Sequence, residues 1–108
     1  MTDKIVVLST CTDAVEAEGL ARGLVDKRLA ACVNIVPGVR SIYRWRGAVE
    51  EAPECLLIIK SRRELFDRLR NELERLHSYE VPEVLALAVT EGSPAYLSWL
   101  EHELKAEA

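Results

Sequence analysis

The 108-residue chain is short of the residue types that mark most readily recognised sites. Its five glycines, Gly19, Gly23, Gly38, Gly47 and Gly92, are scattered, so no glycine-rich loop is available to cradle phosphates. GxSxG and HExxH strings are missing, which removes the serine-hydrolase elbow and the zinc-protease helix from consideration. Basic charge is scarce too: 14 Lys and Arg against 18 Asp and Glu leave a net charge of −4. A nucleic-acid-binding face needs a basic stripe that displaces counterions from phosphates. Here the arginines alternate with glutamates along the helical segments, the pattern of a solvated face. No apolar run approaches the roughly 20 residues of a membrane-spanning helix. Met1-Thr2-Asp3-Lys4 leads straight into a strand-like run, without the longer apolar stretch of a signal peptide, so a cytosolic location is expected. Cysteine is limited to Cys11, Cys32 and Cys55, an odd number with no CxxC pair, which reads as free thiols in a reducing compartment.

What is present is enough for one domain spanning residues 1–108, with 49% hydrophobic and 30% charged residues. Lys4 to Thr10 carries Ile5-Val6-Val7-Leu8, a β-branched run without helical period, expected to be a strand buried on both faces. Asp13 and Glu16 form a capping box ahead of Leu20, Ala21, Leu24 and Val25, which recur at helical spacing. Ala31 to Arg44, the turn Arg46-Gly47 and Ala48 to Lys60 read as a long β-hairpin. Pro37 and Pro53 are expected to face each other across it and to mark a bulge, since proline cannot donate to a ladder. Ser61-Arg62-Arg63-Glu64 reads as a second capping box before a helix carrying Leu65, Phe66, Leu69, Leu73 and Leu76. Glu64/Arg68 and Arg70/Glu74 are expected ion pairs on its exposed side. The helix stops near His77, Pro82 introduces a strand over Val84–Val89, and Ser93-Pro94 opens a short last helix.

The order β-α-β, β-α-β, α predicts an α+β fold. Two interleaved βαβ units form a four-stranded antiparallel sheet, with a long hairpin between the second and third strands and a short C-terminal helix. Hairpin strands of about 14 residues reach roughly 45 Å, whereas the outer strands reach roughly 20 Å and the helices about 24 Å. About half the hairpin therefore projects, carrying Val39, Ile42, Tyr43 and Trp45. An apolar sheet edge of that length is an aggregation hazard unless another chain covers it. Assembly with copies of itself is expected, with Trp99 as a further interface anchor.

Several strings, in order, resemble the signature segments of the CutA family. They are Ala30-Ala31-Cys32-Val33-Asn34-Ile35-Val36-Pro37-Gly38, Ser41-Ile42-Tyr43-Arg44-Trp45-Arg46-Gly47, Leu57-Ile58-Ile59-Lys60, His77-Ser78-Tyr79-Glu80-Val81-Pro82-Glu83 and Tyr96-Leu97-Ser98-Trp99-Leu100. The resemblance implies a ferredoxin-like protomer in a homotrimer, related in shape to the PII signalling proteins, and a link to tolerance of divalent metals, copper above all. It also implies a copper site made by a cysteine ending the first strand and two adjacent histidines ending the second helix. The matching positions here hold Ser9, Leu76 and His77, so one of the three survives. Cys11, two residues beyond Ser9 on the same strand face, is a soft substitute ligand for Cu(I).

Each candidate has a plainer reading beside it. His77 suits a helix C-terminus when protonated, and Cys11 suits an inert thiol; these plainer readings are favoured over metal ligation. Lys60, Tyr79, Glu80 and Glu83 are expected to line an intersubunit cleft, either as a polar cluster that fixes the assembly or as a pocket for a small anion or metabolite. Cys11 with His77 as nucleophile and base is set aside for want of any supporting motif, so no enzyme is expected. The expected function is a trimeric protein of the divalent-ion tolerance type, binding copper or another divalent ion weakly. A PII-like module with a ligand in its clefts and a scaffold without catalysis are the alternatives.

Overall fold

A computed structural model describes residues 1–106. The strands are β1 (Lys4–Cys11), β2 (Cys32–Trp45), β3 (Ala48–Arg62) and β4 (Leu85–Ala88); the helices are α1 (Ala14–Asp26), α2 (Phe66–Leu76) and α3 (Pro94–Glu103). The sheet runs β2-β3-β1-β4 with every neighbour antiparallel, as the interleaved βαβ order predicts. Alternation sorts its two faces. Ile5, Val7, Ser9 and Cys11 of β1 and Cys55, Leu57, Ile59 and Ser61 of β3 point inward and are all buried. Leu20 and Leu24 of α1 and Leu69 and Leu73 of α2 join most of them in one core. The opposite face gathers Val6, Leu8, Leu56, Ile58, Leu85 and Leu87, and the two leucines of β4 are 58% and 53% exposed.

Asp13 caps α1 as expected, its Oδ1 accepting from the Glu16 N–H at 2.9 Å, while Glu16 Oε1 accepts from the Thr12 N–H at 3.1 Å. The second capping box does not form. Ser61 belongs to β3, and its buried hydroxyl donates to the Leu29 carbonyl at 2.7 Å. A 3-10 turn over Arg63–Leu65 leads into α2 instead, without a side-chain cap. Of the two expected ion pairs, Arg70–Glu74 forms at 3.1 Å, whereas Glu64 turns back to Arg62 at 3.1 Å. The strand expected over Val84–Val89 shortens to four residues.

The hairpin has the expected length but another register at its bend. Val36 pairs with Leu56 and Val39 with Glu54, so Pro37 and Gly38 together oppose Cys55. This is a bulge, with Gly38 at φ +76°, and Pro53 lies opposite Arg40 rather than Pro37. Pro37 lies nine positions before Arg46 and Pro53 six after Gly47, and this difference sets them out of register. β1 stops pairing with β3 at Cys11↔Cys55. Residues 39–45 and 48–54 therefore run on as a two-stranded arm, and the molecule measures 44 Å along its longest axis against 25 and 22 Å across. Ile42, 66% exposed, lies on this arm with Tyr43, Trp45 and Val49, all exposed. Trp99 of α3 is exposed as well and stacks on Tyr96 at 5.7 Å.

Two glycine replacements separate backbone conformation from space. A Cβ meets nothing within 4 Å at either Gly19 or Gly38, but only Gly38 is left-handed. In urea denaturation Gly19→Ala is expected to stabilise by about 0.5–1 kcal/mol, as alanine does inside a helix. Gly38→Ala is expected to destabilise by about 1–2 kcal/mol.

Candidate functional site

Where the arm leaves the body, the loop between α2 and β4 folds against the end of β1. His77 caps α2 with its N–H on the Leu73 carbonyl at 3.0 Å, and its side chain is fully buried. Its Nε2 lies 2.8 Å from the Thr10 carbonyl, an acceptor only, so Nε2 carries the proton and donates. Nδ1 then accepts from the Tyr79 N–H at 3.0 Å. Both ring nitrogens are thereby satisfied in the neutral imidazole. Glu16 braces the same loop: its Oε2 accepts from the Ser78 N–H at 2.8 Å and lies 3.8 Å from His77 Nδ1. Burial pushes the Glu16 carboxyl up, but the hydrogen bonds from Ser78 and Thr12 outweigh it and hold the carboxyl below its ordinary range.

Tyr79 reaches from this loop to the arm, its hydroxyl donating to Glu54 Oε2 at 2.6 Å. Glu54 is only 9% exposed, so this charge-assisted bond anchors a buried carboxylate at the root of the arm. Burial and the Glu54 carboxylate both drive the Tyr79 phenol upward, keeping it a donor. Beside this pair lies a cleft of about 720 Å³, lined by Tyr43, Trp45, Glu50, Tyr79, Glu80 and Glu83 among others. Arg46 extends from the arm's turn to Glu80 at 3.0 Å.

Tyr79, Glu80 and Glu83 line this cleft within the single chain, together with Tyr43, Trp45 and Ile42. Lys60 does not join them within the chain. It pairs with Val6 and Cys32, four positions along β3 from Leu56, and donates to the Asn34 side-chain oxygen. Val39 pairs with Glu54 at the arm's root, and Trp99 lies on α3. Cys11 is fully buried, its thiol directed at the Asp13 carbonyl at 3.5 Å, and burial with the Glu16 charge pushes it up to about 11. A neutral imidazole with both nitrogens engaged and a protonated thiol do not make ligands as they stand. Among the described residues no group of three His, Cys, Asp or Glu side chains is close enough to hold a metal.

Glu54, Glu16 and Thr10 were not among the sequence candidates. Glu54 had one local signal, a carboxylate bordering the apolar run Cys55–Ile59. Thr10 acts through its backbone and had none.

The site and the sheet define a ferredoxin-like α+β fold with an extended hairpin arm braced at its root. The model of the CutA1 divalent ion tolerance protein family matches residues 5–103, and the chain belongs to that family. The divalent-cation tolerance protein CutA of Thermus thermophilus is 50% identical over 88% of this chain and 92% of its own length. That of Pectobacterium atrosepticum is 40% identical over 97% and 96%. The chain spans a smaller part of plant and animal relatives, such as 56% of the chloroplastic CutA protein of Arabidopsis thaliana, to which it is 46% identical over 94% of its own length. The solved CutA structure from Xylella fastidiosa superposes with a TM-score of 0.94 at 40% identity, covering 96% of this chain and all of that one. The Thermus thermophilus structure superposes at 0.92 with 46% identity, covering 94% and 99%.

Two measurements check this reading. In native thiol labelling at pH 8, half-buried Cys32 is expected to react first. Cys11 and Cys55 are buried and react only on unfolding, and the Cys11 thiol, near 11, is in addition only about one-thousandth thiolate at that pH. Tyr79→Phe leaves the Glu54 carboxylate buried without its donor and is expected to cost about 1.5–3 kcal/mol in chemical denaturation.

Proposed function

We propose that the chain works as a homotrimer of the divalent-ion tolerance type, without catalysis, in which each arm completes the sheet of a neighbouring subunit. The observation that carries this is the arm, whose strands continue for seven residues each beyond the end of β1 with no third strand beside them. The apolar open face of the sheet adds a second surface that water covers poorly. One arm donated per subunit closes into a ring with cyclic symmetry, and three is the number the family resemblance implies. In the ring, Lys60 of one subunit and the Tyr79–Glu83 loop of another are free to share a cleft that a single chain does not assemble.

Weak binding of copper or another divalent ion belongs to this reading, with the carboxylates of Glu80 and Glu83 at the cleft as donors in place of His77 and Cys11. Carboxylate oxygens suit hard divalent ions better than Cu(I). Three free thiols support a reducing, cytoplasmic location, and no helix among the described residues is long and apolar enough to cross a membrane. A small-molecule ligand in the cleft is the second reading, favoured by a volume within the usual range of ligand pockets.

Sedimentation and calorimetric titration with Cu(II) and Zn(II) test both halves. A species of three times 12.1 kDa is expected. Glu80→Gln/Glu83→Gln is expected to weaken metal binding at least tenfold, while His77→Ala and Cys11→Ser leave it within about twofold wherever the trimer persists. A monomer at micromolar concentration contradicts the assembly. Loss of metal binding in a trimeric His77→Ala contradicts the donor assignment.

A further inference from the structure

On the helical side of the molecule, remote from the arm's cleft, a second cavity of about 530 Å³ opens between the end of α1, the outer face of α2 and Lys105. Arg68, Asn71, Glu72 and Arg75 of α2 line it, at the i, i+3, i+4, i+7 spacing that puts them on one face. Lys27 and Arg28 face them from the turn after α1. Among the described residues, five of the chain's 14 basic side chains meet here against two carboxylates, Asp26 and Glu72, in a chain whose net charge is −4.

Three of these cations are already held in place. Lys27 and Arg75 converge on Glu72 Oε2 at 2.9 and 2.6 Å, and their hydrogen bonds keep that carboxyl ionised, down to about 2. Arg28 sits in the left-handed region at φ +58°, a conformation that favours glycine, and its guanidinium donates to the carbonyls of His102 and Glu103 at the end of α3. Arg68 and Lys105 are the two spare charges. The partner expected for Arg68, Glu64, bonds Arg62, and Arg68 has no ion pair among the described residues.

We propose that this cavity binds a small, multiply charged anion bearing phosphate groups. Guanidinium forks match phosphate oxygens in pairs, and cations already fixed by protein contacts lose little freedom when a ligand arrives. The volume suits a small molecule rather than a nucleic-acid backbone. No aromatic side chain lines the cavity, and Leu29 is the one large apolar residue there. Recognition therefore rests on the phosphates, and a base or sugar attached to them adds little. The cavity uses none of the residues assigned to assembly or to the metal cleft, so this site stands or falls separately from them.

The test is calorimetric titration of the full chain with tripolyphosphate in metal-free buffer containing EDTA, at constant ionic strength. Tripolyphosphate is expected to bind, ATP to bind within about threefold of it, and adenosine to give no heat. Arg68→Glu is expected to weaken tripolyphosphate binding at least tenfold and Arg68→Ala at least threefold. Arg70→Glu, on the same helix but outside the cavity, is expected to change it less than twofold. The melting temperature of each variant without ligand reports on folding. Absence of binding at millimolar tripolyphosphate overturns the proposal, as do equal losses in Arg68→Glu and Arg70→Glu, which indicate a diffuse charge effect. Binding of adenosine as tight as that of ATP also overturns it, since the phosphates then contribute nothing.

Discussion

β1 ends its pairing at Cys11↔Cys55 while its neighbour β3 and that strand's partner β2 run on for seven residues each, and the rest of the structure answers to this mismatch. A two-stranded ribbon in water is marginal, because each strand leaves one edge of N–H and C=O groups without a ladder partner and neither face has a layer to pack against. The arm's side chains are apolar where an isolated ribbon needs charge: Ile42, Tyr43, Trp45 and Val49 are exposed on it. The inward sheet face lies under α1 and α2, and the other face presents leucine and isoleucine. Both deficits, the open edge and the open face, are of the kind that a second copy of the same chain corrects.

An arm proposed to pair with a neighbour needs a defined angle at its root, and the polar groups there supply one. The bulge at Pro37-Gly38 kinks β2, Glu54 sits just beyond it, and Tyr79 ties that carboxylate to the loop after α2. His77 and Glu16 in turn tie the loop to the end of β1 and the start of α1. Every group in this chain of bonds has a partner, so it behaves as a rigid joint. His77 is left without a free ring nitrogen: Nε2 donates its N–H to a carbonyl and Nδ1 accepts a backbone N–H.

Much of this architecture was legible in the sequence because it rests on local pattern. The β-branched run Ile5–Leu8, the Asp13/Glu16 box and the apolar spacing of α2 each predict an element within a few residues, and strand lengths alone reveal the overhang. What escaped is non-local or competes with a local signal. Ser61 matches a helix cap in sequence, but it lies in a strand next to an open Leu29 carbonyl, and its hydroxyl donates a hydrogen bond there instead. Within one chain, strand register sets Lys60 on another part of the sheet from Tyr79, Glu80 and Glu83. The Tyr79–Glu54 and His77–Thr10 contacts join residues 25 and 67 positions apart, with no motif to announce them. The basic cavity divides the same way: its α2 face can be read from spacing, whereas Lys27 and Arg28 arrive only through the packing of α1 on α2.

Residue-resolved hydrogen exchange over 39–45 and 48–54 reads the state of the arm most directly. In an isolated ribbon, alternate amides of each strand point away from the partner and exchange as freely as an open loop. If neighbouring subunits pair with the arm, protection runs unbroken along it, with the outward amides slowed as much as the inward ones. Rapid exchange at every second residue, at a concentration where the protein is active, contradicts a shared sheet and removes the basis for assembly through the arm.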